Sequence, residues 1–60
     1  MSDDHTRRVL KGVGVAVTTL EEAVASGSGD RARKAEAELR TRMVELLALV
    51  ERLSEQAAKL

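Results

Sequence analysis

Residues 39–60, LRTRMVELLALVERLSEQAAKL, place Leu39, Met43, Leu46, Val50, Leu53, Ala57 and Leu60 at spacings that alternate between four and three. On an α-helix this alternation draws one apolar stripe, with charged residues opposite, as in helices that pack lengthwise on other helices and form coiled coils. Around Leu46 the stripe broadens. Leu47 and Leu49 lie about 80° to either side of its centre, too far apart for a single neighbouring helix to cover both. The expectation is that one of them meets the other helix of its own chain and one meets a second chain.

Working back from this stripe, the one strong break is Gly27-Ser28-Gly29-Asp30. Its two glycines permit positive φ, and Asp30 is a candidate cap for the helix that follows. No proline interrupts either arm, and Ser2, Asp3 and Asp4 supply a cap candidate and negative charge at the start of the first. In that arm Leu10, Val13, Val17, Leu20 and Val24 repeat the three-and-four spacing, with Val9, Ala16 and Ala23 widening the stripe. The spacing predicts helices over about 3–26 and about 30–59 with a loop at 27–30, so that residues 1–60 form one helical-hairpin domain. Glu21 and Glu22 are expected beside Arg31, Arg33 and Lys34, and Arg7, Arg8 and Lys11 toward Glu51 and Glu55, as an antiparallel hairpin requires.

One stretch admits another fold. In Gly12 to Thr19 β-branched residues alternate with small ones, and each of two glycines lowers helix propensity by about 1 kcal/mol. Thr19 with Glu22 matches a capping box. A strand followed by a helix from about residue 19 would give a ribbon-helix-helix-like layout. The heptad spacing through Leu20 and Val24 favours helix, with the glycines serving a close helix crossing.

Sixty residues bury only about 60% of the surface that the unfolded chain exposes, so the core is thin. There is no Phe, Tyr, Trp or Cys, which leaves Ala, Val, Leu and Met to do the packing and removes disulfides, thiol catalysis and thiolate metal sites. A thin core together with a broad leucine face points to an obligatory oligomer, with an antiparallel four-helix bundle built as a homodimer as the expected assembly. Leu39, Met43, Leu46, Leu47, Leu49, Val50 and Leu53 are its expected interface. Ten basic and ten acidic residues cancel, so any electrostatic function must come from local patches. No stretch reaches the about 20 consecutive apolar residues that a bilayer span requires. Seven Arg against three Lys, with abundant Ala, fit a GC-rich bacterial genome.

The residue types that carry chemistry are sparse. His5 is the sole histidine, and the chain supplies no His or Cys to complete a metal site with it; no cofactor motif is present either. Ser and Thr residues outside the N-terminus have no histidine to act as base, which argues against nucleophilic catalysis. Glu36, Glu38, Glu45, Glu51 and Glu55 are mostly flanked by Arg or Lys at helical spacing and read as a solvated face. Among Arg40, Arg42 and Arg52, Arg42 borders the apolar stripe and is expected to snorkel. Val15 is expected on the outer face of the first helix. The clusters Arg7, Arg8, Lys11 and Arg31, Arg33, Lys34 are candidate polyanion contacts, without aromatic side chains to stack on bases.

Thr6-Arg7-Arg8-Val9-Leu10-Lys11-Gly12 followed by Val13 to Leu20 resembles a twin-arginine export signal, with Ala23-Val24-Ala25 where a small-residue cleavage site would fall. That resemblance implies export, whereas the apolar stripe through the same residues implies an ordinary helix of a cytoplasmic protein, which is the expectation adopted. In size and layout the chain resembles plasmid copy-number control proteins that are helical-hairpin dimers. No motif matches, so the resemblance implies an architecture and no functional residue. The expected function is a non-enzymatic, self-associating adaptor or assembly protein that binds another macromolecule, its protein partner being unidentified. The alternatives are a small nucleic-acid-binding regulator that uses the two basic clusters, and a small subunit of a larger enzyme or phage assembly.

Overall fold

The computed structural model describes residues 4–60. Helix α1 runs Asp4–Ala25 and helix α2 Gly29–Ala58, packed against each other along their length. The expected start of the first helix at residue 3, and the cap candidates Ser2 and Asp3, lie outside the described residues. The longest dimension is 48 Å against 18 and 12 Å across. It is set by α2, whose 30 residues rise about 45 Å at 1.5 Å each.

The reversal between the helices is made by the glycine break. Gly27 has φ +73°, the left-handed conformation that an L side chain resists. Its amide donates to the Val24 carbonyl at 3.0 Å and the Ser28 amide donates to Ala23 at 3.1 Å. These two bonds form a Schellman motif, which satisfies carbonyls that the end of α1 would otherwise leave open. Ser28, in extended conformation, then caps α2 by accepting a hydrogen bond from the Arg31 amide at 3.3 Å. The cap expected from Asp30 is therefore made two residues earlier, and Asp30 sits in the first turn, where its charge meets the positive end of the helix dipole.

The ribbon-helix-helix alternative is overturned, because residues 12–19 are helical throughout. Thr19 does not begin a helix. Its hydroxyl donates to the Val15 carbonyl at 2.9 Å within α1, the back-bonding a helical Thr adopts. Propensity lost at Gly12 and Gly14 is outweighed by burial of the face on which Ala16 lies.

That face is not centred where the largest side chains suggest. The buried residues are Val9, Ala16 and Ala23 on α1 and Ala35 and Leu49 on α2, with Val13, Leu20, Leu39 and Leu46 half-buried beside them. Three of these nine, Ala16, Ala23 and Ala35, are alanines, and such small side chains let two helix backbones approach closely. The residues expected to form the first helix's stripe are displaced by one position, leaving Leu10, Val17 and Val24 exposed.

Candidate interaction surfaces

With alanines at the seam, a row of large apolar side chains is left to one side of it. On α1 these are Leu10, Val17 and Val24, each seven residues from the next, so that they line up two turns apart. On α2 they are Met43 and Val50, whereas Leu53 lies in line with the seam, in the stretch of α2 whose residues 51–60 are all exposed. Taking Arg42 as the reference at 100° per residue, Met43 and Val50 lie about 80–100° round toward this side and Leu47 about 140°. Leu39 and Leu46 belong to both seam and flank and are half-buried. The flank is thus an apolar strip on both helices.

Of the seven α2 residues expected at an oligomer interface, Leu49 is buried inside the hairpin at 4% exposure and Leu39 and Leu46 are half-buried in it, whereas Leu47 is 59% exposed. The divergence of these two leucines about the stripe puts one into the hairpin and one outside it. Met43, Val50 and Leu53 are also exposed.

The opposite flank is polar at its edges and open at its floor. A groove of about 350 Å³ is lined by Arg8, Lys11, Gly12, Val15, Ala16, Thr19, Ala35, Glu38 and Arg42. An adjoining stretch of about 420 Å³ shares Thr19, Ala35 and Glu38 and adds Ala23, Arg31 and Lys34. Val15, expected on the outer face of α1, is instead on this flank, 56% exposed beside the groove. Among the six candidate polyanion contacts, the structure brings Arg8, Lys11, Arg31 and Lys34 to the groove, while Arg7 and Arg33 are exposed and do not line it. Farther along the flank, His5 is exposed and lies near Glu45, Ala48, Leu49 and Arg52.

Among the described residues, Arg42 is the one charged residue that is half-buried, set at the seam. A Cβ on Gly12 would stand 3.2 Å from its Cδ and 3.4 Å from its Nε, so the missing side chain of Gly12 makes room for the arginine stem. The guanidinium reaches out of the seam to Glu38 at 3.1 Å and Glu45 at 3.0 Å, a snorkelled geometry. The hydrogen bond that Arg42 donates to Glu45 first, then the charge of Glu38, raise its pKa and hold it charged. Arg40 pairs with Glu36 at 2.7 Å in the same fashion. These pairs run along α2. The cross-helix pairs expected of Glu21 and Glu22 with Arg31, Arg33 and Lys34 do not form, nor do those of Arg7, Arg8 and Lys11 with Glu51 and Glu55. Helix direction is set by the short Gly27 reversal and by seam packing, which outweigh exposed pairs contributing a few tenths of a kcal/mol.

Among the described residues no helix is long and apolar enough to cross a membrane, and no group of three or more His, Cys, Asp or Glu is placed to hold a metal ion. Compared with protein-family models, with curated proteins and with solved structures, the chain matches none.

Proposed function

We propose that this chain is a non-enzymatic, self-associating helical hairpin that pairs with a second copy into an antiparallel four-helix bundle, and that the bundle serves as a cytoplasmic adaptor or assembly element presenting its outer surface to another macromolecule. The observation that carries this reading is the placement of side chains about the seam, with Ala16, Ala23 and Ala35 among those buried inside the hairpin and Leu10, Val17, Met43 and Val50 left outside on one flank. Surface area agrees with it. The chain exposes 4894 Å², whereas a compact monomer of 6.5 kDa exposes about 3,800 Å². The excess of about 1,000 Å² is close to the roughly 800 Å² that each partner buries in a standard interface. A two-fold axis along the apolar flank would set α1 and α2 of one copy against those of the other, each large side chain meeting its counterpart's surface.

Sedimentation equilibrium of the full chain across a dilution series, with helicity followed by circular dichroism, tests this. A dimer mass that falls on dilution together with helicity is the expected result. A fully helical monomer at every concentration would overturn it.

A further inference from the structure

The groove flank lies away from the apolar strip, so self-association as proposed leaves it open. At its floor Ala16 and Ala35 are buried in the seam and the Arg42 stem lies over Gly12, so a partner meets the rim of the groove. Val15 offers an exposed apolar contact at its rim. Four cations flank it, and they come in two pairs. Arg8 and Lys11 stand along the first stretch, Arg31 and Lys34 along the second, beside Thr19 and Ala23. Lys11 is eight to twelve residues from Thr19 and Ala23 along α1, so the two pairs are about 12–18 Å apart. Among the described residues none of these four cations is ion-paired, and Glu38, the carboxylate common to both stretches, is occupied by Arg42.

We propose that this groove docks an acidic amphipathic helix of a partner protein, one whose carboxylates lie about two to three turns apart and bracket an apolar residue seated against Val15. The proposal names the partner class of the adaptor function above and rests on that reading for the flank being uncovered. A nucleic-acid strand would meet the same cations, but it would set phosphates or sugars over an apolar floor that offers no aromatic ring for a base. A helix uses both halves of the site, since apolar contact supplies affinity and the rim charges supply orientation and rate of encounter.

Fluorescence anisotropy with the full chain tests this. Three labelled probes are compared: a capped peptide of about 18 residues with a Leu/Ala stripe flanked by Glu, the same peptide with Lys for every Glu, and a mixed-sequence DNA duplex. The acidic peptide is expected to bind, the basic one about ten-fold or more weakly, and the duplex more weakly than the acidic peptide. The double variant Lys11→Glu, Lys34→Glu is expected to weaken the acidic peptide by about ten-fold or more and to improve binding of the basic one, with sedimentation and helicity unchanged. Failure of the acidic peptide to saturate by about millimolar concentration, equal binding to the double variant, or tighter binding of the duplex would each overturn the proposal. Sedimentation of the same samples keeps that failure separate from failure of self-association, which would appear as monomer in the absence of any peptide.

Discussion

Val44 and Val50 are two exposed valines of one helix, 66% and 49% accessible, and they should respond oppositely to the same substitution. Six positions at 100° each set them about 240° apart round α2, with Val50 on the apolar flank and Val44 behind it. Covering a whole Val side chain contributes about 1.5–3 kcal/mol, so covering the exposed half of Val50 contributes about 1 kcal/mol. A two-fold interface contains the residue twice. Val50→Ala should therefore weaken the dimer by about 2 kcal/mol, or roughly 30-fold in dissociation constant. Val50→Lys loses the same contact and also places an ammonium group against the partner, where desolvation costs several kcal/mol before snorkelling relieves part of it. A weakening of about a thousand-fold or more is expected. Val44→Lys should leave the dimer unchanged. Sedimentation velocity over a dilution series, with the two lysine variants and wild type run side by side, measures all of this. If the two lysines act alike, or if Val50→Lys keeps the wild-type mass, the apolar flank is not the interface.

Other substitutions probe the hairpin itself. Leu49→Lys should unfold the chain, since it sets an ammonium group at a buried seam position, whereas Ala48→Lys, exposed one residue away, should be tolerated; thermal melts by circular dichroism distinguish them. Gly14→Ala should raise stability by about 1 kcal/mol, because a Cβ there meets nothing within 4 Å. Gly12→Ala should give less than Gly14→Ala, because Arg42 must first shift away from a Cβ at 3.2 Å. Gly27→Ala should cost about 1–2 kcal/mol for its left-handed φ, seen as a lower urea midpoint with unchanged slope.

Helical character, the two arms and the place of the reversal were legible in the residues alone, because each is a local property. Alternating three-and-four spacing favours helix over this length, and the glycine break marks the reversal at Gly27, although its cap falls on Ser28 and not on Asp30. Even the separate fates of Leu47 and Leu49 follow from 100° per residue, as does the position of Arg42 beside the stripe. The glycines at 12 and 14 kept a strand alternative open, since the burial that outweighs their propensity belongs to a face whose partner, on α2, is distant in sequence.

Which side of the stripe turned inward was left to the tertiary structure. Both arms carry more apolar residues than one neighbouring helix can cover, so periodicity identifies a broad face and not its centre. Packing two helices against each other selects the centre by how closely the backbones can come, and Ala16, Ala23 and Ala35 allow a closer approach than Leu10, Val17 and Val24 would. That one-residue displacement decides everything exposed. It places Leu10, Val17, Met43 and Val50 on one flank, and it gathers Arg8, Lys11, Arg31 and Lys34, distant in sequence, along a groove on the other. A period along one chain fixes angles about a helix axis, but only contact between two axes fixes which angle is buried.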